Sequence, residues 1–98
     1  MNLLDIIPEG ERVTRKYLSG ILGLCDRIVR RLIEKQRTSE EIDPRGVILS
    51  SSHKPGYWVS RDKEEIKAFN REIRSRVKAL LKILAHNEKY LLYLDSMR

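Results

Sequence analysis

The chain of 98 residues has the length of one ordinary domain, and its hydrophobic share of 41% is sufficient for a buried core. Its formal net charge of +6 favours an acidic partner, with nucleic acid ahead of an anionic membrane surface. The single cysteine, Cys25, excludes an intramolecular disulfide. No apolar run approaches the roughly 20 residues of a membrane span, and the N-terminal residues lack the basic start of a signal peptide. We therefore expect a cytoplasmic protein that does not bind membranes.

A short apolar segment opens the chain and predicts one or two helical turns. Pro8 and Gly10 end it, because proline and glycine both interrupt helices. Its apolar residues are Leu3, Leu4, Ile6 and Ile7.

Two helical patterns separated by a glycine occupy residues 14–36. Thr14 is a favourable N-cap residue, and apolar residues then recur at helical spacing. Gly23 ends the first pattern, since glycine adopts the left-handed conformation without a Cβ penalty. Either Cys25 or Asp26 can cap the second helix. The pattern predicts two helices joined by a tight turn.

Two helices joined this tightly must cross at close range. Close crossing requires a small residue on the first helix, a glycine in the turn and an aliphatic residue on the second, and Ser19, Gly23 and Val29 fulfil these requirements in order. This spacing resembles that of the helix-turn-helix family. The family usually has Ser or Thr where Cys25 stands, so the resemblance implies a weak capping hydrogen bond at this position. The alternative is an ordinary helical hairpin.

Residues 46–59 are typical of a β-hairpin, because β-branched and aromatic residues surround a Ser-rich, Pro-Gly turn. Gly46 precedes the first strand, and Gly56 with Tyr57 opens the second. This order resembles the wing of winged-helix domains similar to the DNA-binding part of bacterial biotin-operon repressors. The whole chain also resembles small winged-helix proteins encoded by bacteriophages. The resemblance implies a winged helix-turn-helix over residues 1–60, with a basic wing at Ser50 to Tyr57.

In a helix-turn-helix the second helix enters the major groove by its N-terminal part. Arg27 and Arg31 lie four residues apart and share one face of this helix, where an arginine fork can bind the O6 and N7 atoms of guanine. Asp26 can accept a hydrogen bond from cytosine N4 or stabilise the helix N-terminus. The residues that we expect to contact DNA are Asp26, Arg27, Arg30 and Arg31 on the second helix, Arg15 and Lys16 for phosphates, and Ser52, His53 and Lys54 in the wing.

Each of these residues also has a purely structural interpretation. The arginines can form a solvated helix face, and Lys54 can be an ordinary turn lysine. Tyr57 and Trp58 alternate across their strand, so we expect one in the core and the other partly exposed, where it could stack on a base. The two histidines, His53 and His86, have no Cys or carboxylate partners at ligand spacing, so no metal site is expected.

The sequence contains none of the motifs that indicate catalysis. It has no glycine-rich phosphate loop and no Ser-His-Asp arrangement. We therefore expect no enzyme activity and no cofactor, and we identify no small-molecule ligand.

Residues 61–95 form one long helical pattern without glycine or proline. Its apolar residues alternate at spacings of three and four, which is typical of a coiled-coil seam. One set recurs every seven residues at Ile66, Ile73, Leu80, Asn87 and Leu94, and the interleaved set is Asn70, Val77, Leu84 and Leu91. In a parallel zipper Ile83 would face Glu88 and Tyr90 would face Asp95, so charge pairing does not support that arrangement.

This long helix predicts self-association, because a domain of this size cannot cover so long a stripe. We expect Ile66, Phe69 and Ile73 to close the winged domain. The residues assigned to the dimer contact are Val77, Leu80, Leu84, Leu91 and Leu94. One alternative is a monomer whose helix folds back on the core. Another is a break at Asn87, leaving a short last helix of Tyr90 to Met97.

The expected fold is mainly α with a small β-hairpin: a winged helix-turn-helix over residues 1–60, followed by a long C-terminal helix over residues 61–98. The expected function is sequence-specific binding of double-stranded DNA by a homodimer that regulates transcription. Two alternatives remain open at this point. One is a phage replication or recombination accessory protein that uses the same surface, and the other is a winged-helix module that binds protein.

Overall fold

The computed structural model describes residues 2–51 and 53–97. It confirms a mainly helical fold with a small antiparallel hairpin and a long C-terminal helix. A short 3-10 turn at Leu3–Asp5 precedes the helices. The helices are α1 (Arg15–Leu22), α2 (Asp26–Arg37) and α3 (Lys63–Ser96), and the strands are β1 (Val47–Ser50) and β2 (Tyr57–Ser60).

One hydrophobic core lies within the described residues up to 60, which we call the head. Every element of the head contributes to it, including the 3-10 turn, because each has one apolar side that must be covered. Leu18 of α1 and Val29 of α2 are completely buried. The buried hydrophobic residues are Leu3, Leu4, Ile7, Val13, Leu18, Val29, Ile33, Ile48, Leu49 and Val59.

The hairpin pairs in the expected order and gains a third partner that the sequence did not predict. Ile48 lies opposite Val59, so two buried residues share one face. Val13, just before α1, forms an isolated antiparallel bridge with Tyr57. Each backbone N–H donates to the other residue's carbonyl, at 2.8 and 2.7 Å. This bridge fastens the start of α1 to the hairpin.

Two glycines of the hairpin are required by close backbone contacts. Gly46 has a φ of +128°, and a Cβ there would lie 2.5 Å from the carbonyl oxygen of Ser60. Gly56 has a φ of +109°, and its Cβ would lie 3.1 Å from the carbonyl oxygen of Val13. Both positions combine a backbone conformation that side chains disfavour with a backbone neighbour that cannot rotate away.

The loop between α2 and β1 is attached to the N-terminus by a polar cluster. Arg45 donates to Asp43, with one contact of 2.9 Å, and also to Asp5. Asn2 donates to Asp43 at 3.0 Å. The side-chain hydrogen bond from Arg45 holds the pKa of Asp43 well below its usual range, and the bond to Asp43 raises the pKa of Arg45. These contacts join segments about 40 residues apart.

Only the first turns of α3 pack on the head. Ile66 and Phe69 are half-buried beside β1, but Ile73 is exposed, so the expectation that Ile73 closes the head was wrong. From Asn70 to Met97 every residue is exposed. The radius of gyration is 18.1 Å, against about 13 Å for a compact domain of this length. The helix therefore projects and does not fold back on the core.

The projecting helix is continuous through Asn87, so the alternative of a break at that residue is wrong. Asparagine in a helix interior costs less than about 0.7 kcal/mol relative to alanine, which neighbouring residues compensate easily. With 34 residues, α3 is about 51 Å long. Within residues 2–51 and 53–97, no helix combines the length and apolarity needed to cross a membrane.

Replacing Gly46 by alanine should destabilise the head by roughly 1–3 kcal/mol, because the new Cβ would meet the Ser60 carbonyl and the backbone would be strained. Gly20→Ala is the matched control, since Gly20 lies within α1 with no neighbouring atom near its Cβ position. That control should stabilise the protein by about 0.5–1 kcal/mol. Urea unfolding followed by circular dichroism measures both, and equal effects would contradict this account of Gly46.

Candidate nucleic-acid interface

The turn between α1 and α2 determines how α2 is presented. Gly23 adopts the left-handed conformation, with φ 67° and ψ 29°, and its N–H donates to the carbonyl of Ser19 at 2.9 Å. The hydroxyl of Ser19 donates to the carbonyl of Leu24. Val29 is fully buried one turn into α2. The small residue, the turn glycine and the aliphatic residue thus occupy the positions expected of a close helix crossing.

The N-terminus of α2 lacks a side-chain capping hydrogen bond. Cys25 is the N-cap residue, and its backbone carbonyl accepts from the N–H of Val29 at 3.1 Å. Its side chain makes no capping hydrogen bond. Asp26 follows in the first turn, where its negative charge is favourable beside the helix N-terminus.

The carboxylate of Asp26 joins two arginines. The Nε atom of Arg15 donates to Oδ1, and the Nε atom of Arg30 donates to Oδ2, each at 3.0 Å. These pairs are solvent-exposed and contribute on the order of 0–1 kcal/mol each to stability. Their main consequence is positional, because they hold a cation of α1 beside a cation of α2. Contact of Asp26 with cytosine remains a prediction.

Arg27 and Arg31 differ from Arg30 in their surroundings. Both are exposed on α2, and neither forms an ion pair within the part of the chain that the structure describes. The opposite side of α2 carries the buried residues Val29 and Ile33. The two guanidinium groups are therefore directed away from the core, one helical turn apart, with their donors available to a ligand.

A groove of about 610 Å³, with hydroxyl and charged side chains in its lining, separates the helices from the hairpin. It brings three of the predicted residues together with the base of the wing. Its helix side contains Thr14, Arg15, Lys16, Ser19 and Asp26, and its hairpin side contains Ser50, Ser51, Pro55, Gly56 and Tyr57. Hydroxyl groups thus line both walls near the N-terminus of α2, and the cations Arg15 and Lys16 lie on the helix wall.

The tip of the hairpin carries the other predicted wing residues. His53 and Lys54 are exposed and do not line the groove. The backbone N–H of His53 donates to the hydroxyl of Ser51 at 3.1 Å. Ser52, which we predicted from the sequence to contact DNA through the wing, lies outside the described residues. His53 and Lys54 therefore lie beyond the groove, at the end of the hairpin.

Two arginines that the sequence did not single out, Arg37 and Arg12, contact the aromatic residues of the hairpin. The guanidinium of Arg37 lies 5.3 Å from the ring centre of Phe69 and 5.8 Å from that of Tyr57, and it donates to the hydroxyl of Ser50 at 3.3 Å. It therefore connects the end of α2 with both the wing and α3. From the sequence, the position of Arg37 in the last turn of α2 indicates only that it stabilises the helix C-terminus, and does not indicate these contacts.

Trp58 is engaged within the protein. The guanidinium of Arg12 lies 4.1 Å from the centre of its ring, and its indole N–H donates to Glu65 at the start of α3. Both Tyr57 and Trp58 are half-buried, and Tyr57 is the one that packs against the core, which agrees with the expectation of one ring at the core and the other partly exposed. Arg12 already occupies a face on which a base would stack.

A scan of protein-family models and searches of curated proteins and of solved structures gave no match to this chain. Within residues 2–51 and 53–97, no three His, Cys, Asp or Glu side chains come together as metal ligands would. The interpretation of the site therefore depends on its own geometry and charge.

The missing cap at Cys25 leads to a stability prediction. Cys25→Ser would place a hydroxyl where it can accept from the first N–H groups of α2, so it should stabilise the protein by about 1 kcal/mol. Cys25→Ala removes the thiol without supplying an acceptor and should give no gain. Chemical denaturation of the three proteins measures the difference, and equal gains from Ser and Ala would mean that α2 needs no cap.

Proposed function

We propose that this chain is a sequence-specific double-stranded DNA-binding protein of the winged helix-turn-helix family, and that it regulates transcription with α2 in the major groove. The observation that carries the proposal is the pair Arg27 and Arg31. They are exposed on α2 without carboxylate partners in the described residues, on the side opposite its buried anchors. An arginine fork there can bind guanine O6 and N7.

The remaining predicted contacts suit the phosphate backbone. The cations Arg15 and Lys16 line the groove, and Lys54 lies at the hairpin tip together with the imidazole of His53. Phosphate contacts of this kind position a protein on the duplex without reading its sequence. The net charge of +6 supports the same partner, because it raises the rate of encounter with a polyanion.

The proposal includes a homodimer formed through α3. The residues that would make the contact are all exposed: Val77 (48%), Leu80 (65%), Leu84 (53%), Leu91 (60%) and Leu94 (47%). The chain exposes 8047 Å², against about 5,800 Å² for a compact monomer of its mass. The excess of roughly 2,000 Å² is large compared with the roughly 800 Å² that each partner buries in a standard interface.

The arginines and the wing lysine should behave differently on removal. Arg27→Ala or Arg31→Ala should cost about 1–3 kcal/mol at a selected site and relax the base preference, because each removes a base contact. Lys54→Ala should weaken binding to all duplexes about equally, because it removes a phosphate contact. Lys78→Ala on α3 removes the same charge away from the head and is the control. Fluorescence anisotropy at several salt concentrations gives both affinity and salt slope, which is about −0.9 per phosphate neutralised.

Two results would contradict the proposal. If wild-type binding at low salt is absent or insensitive to salt, duplex DNA is not the partner. If the arginine variants weaken all sequences uniformly, as Lys54→Ala does, α2 binds the backbone and does not read bases.

One observation favours a second candidate, a module that binds protein. Asp26 forms ion pairs with both Arg15 and Arg30 on the surface that would meet DNA, which lowers the charge of this cluster from +2 to +1. Exposed apolar side chains also occur on the adjacent helices, at Tyr17, Ile21 and Ile28. Charges that are paired internally attract a polyanion less, and an exposed aromatic side chain such as Tyr17 is of the type enriched where proteins meet.

Asp26→Asn separates the two candidates. In the DNA-binding proposal the substitution removes a negative charge and releases two arginines. Affinity for non-specific duplexes, where no cytosine contact is involved, should therefore rise a few fold, and the salt slope should steepen by up to about 0.9 for each new phosphate contact. Glu34→Gln changes the net charge equally but releases no arginine, so its salt slope should match that of the wild type. Anisotropy titrations measure both. An Asp26→Asn protein whose DNA affinity does not rise would favour the protein-binding module.

A further inference from the structure

The exposed part of α3 is apolar in two different ways. From Ile73 to Leu84 the apolar residues form mainly one stripe, as a single partner helix would require. The segment 90–94 reads Tyr-Leu-Leu-Tyr-Leu, and its side chains are 47–69% exposed. A helix that is apolar on all sides needs cover on more than one side. A partner helix alone covers only the stripe.

A second exposed apolar surface lies on the head, beside the first turns of α3. Ile42, in the loop between α2 and β1, is 92% exposed, and Val47 is 44% exposed. They border a groove of about 370 Å³ that Ile66, Phe69 and Asn70 complete. This groove is continuous with the seam of α3, because these last three residues lie on the seam or directly beside it.

The positions that flank the seam distinguish the two orientations of a second copy. In a parallel pair, flanking residues meet across the seam five residues apart. The four resulting pairs each set an apolar side chain against a charged one. They are Phe69 with the partner's Arg74, Arg76 with the partner's Leu81, Ile83 with the partner's Glu88, and Tyr90 with the partner's Asp95.

In an antiparallel pair most of these positions match in chemistry. The register that sets Leu80 against the partner's Leu84 gives two kinds of opposite-charge pair and three kinds of apolar pair, and only Arg76 with the partner's Tyr90 is mixed. On one flank it pairs Arg74 with the partner's Glu88, Lys67 with the partner's Asp95, and Leu81 with the partner's Leu81. On the other flank it pairs Ile83 with the partner's Ile83, Arg76 with the partner's Tyr90, and Phe69 with the partner's Met97.

The same register carries the end of α3 to the groove on the head. It sets the partner's Leu94 opposite Asn70 and the partner's Met97 opposite Phe69. The all-round apolar segment 90–94 of one copy therefore arrives beside Ile42 and Val47 of the other. A parallel pair would leave both surfaces in water, because its C-terminal ends lie roughly 40 Å of helix away from either groove.

We propose that a second copy of this chain packs antiparallel along α3, with the C-terminal turns of each α3 covered by the head groove of the other. This inference rests on the self-association part of the proposed function and is independent of DNA binding. The two heads then lie at opposite ends of the dimer. The points at which the two heads meet the helix pair, near Ile66 of each copy, are about 48 Å apart along the helix axis. That spacing exceeds the 34–36 Å turn that separates half-sites of compact helix-turn-helix dimers.

Pairs of spin labels on the DNA-free protein test the orientation. On a Cys25→Ser background, a single cysteine is introduced at Lys82 or at Ser96, both of which lie on the outer face of α3 away from the seam. In the antiparallel dimer the label at Lys82 lies near the two-fold axis, so its pair should be about 20 Å apart. The pair at Ser96 should be more than about 40 Å apart.

The other outcomes of the label experiment are distinct. Equal distances at the two positions, near 20 Å, would show a parallel dimer and overturn the inference while leaving the proposed function intact. No coupling at either position, at concentrations where a dimer is expected, would overturn self-association itself. Neither result bears on whether the head binds DNA.

Ile42→Asp tests the groove separately. Ile42 is 92% exposed in the single chain, so the change should leave the fold of the head intact. In the antiparallel dimer it buries an unpaired charge, and the dimer dissociation constant from sedimentation should rise at least about tenfold. Ile21→Asp, on the half-exposed side of α1, is the control and should leave the constant unchanged. A dissociation constant that Ile42→Asp does not change would mean that the groove is not covered.

Discussion

The close crossing of α1 and α2 is the contact on which the rest of the head depends. The connection between them contains Gly23, Leu24 and Cys25, so the two helices have no freedom to separate. The left-handed Gly23 and the hydroxyl of Ser19 close the turn, and Val29 fills the space behind it. Because this side of α2 is committed to the core, its other side must face outward. The exposure of Arg27 and Arg31 is a consequence of that packing.

The hairpin and α3 are attached to this helical pair by a small number of contacts. Val13 joins the approach to α1 with β2 through two backbone hydrogen bonds. Arg37 lies against Tyr57 and Phe69, so the end of α2, the wing and α3 share one cation. These contacts join the two walls of the groove, the helices and the hairpin, to each other. A ligand that fills the groove meets a surface that is already in place.

Local chemistry made much of this fold predictable from the sequence. Thr14 caps α1 by accepting from the N–H of Tyr17, Gly23 ends it, and the glycines at 46 and 56 mark the hairpin, each through an effect confined to a few residues. The contacts that were missed join distant parts of the chain. The bridge of Val13 involves a single residue, which has no periodicity to detect. The cluster of Arg45 with Asp5 and Asp43 depends on how the loop folds.

Exposure along α3 was harder to predict because the seam pattern is the same whether the cover is a domain or a second chain. Ile66 and Ile73 occupy equivalent positions of the heptad pattern, two helical turns apart, yet only Ile66 packs on the head. The site residues were predictable as residue types on a helix surface. The pair of Asp26 with Arg15 was not, because it depends on the distance between two helix N-termini, whereas the pair with Arg30 follows from i,i+4 spacing within α2.

Selection of bound sequences from a random duplex library tests the central claim most directly, namely that the outward face of α2 reads DNA. The purified protein is incubated with the library near physiological salt, where phosphate contacts alone bind only weakly. The account predicts enrichment of a defined motif containing G·C pairs, as arginine contacts to guanine require. A bound pool that remains random in sequence after repeated rounds would contradict it.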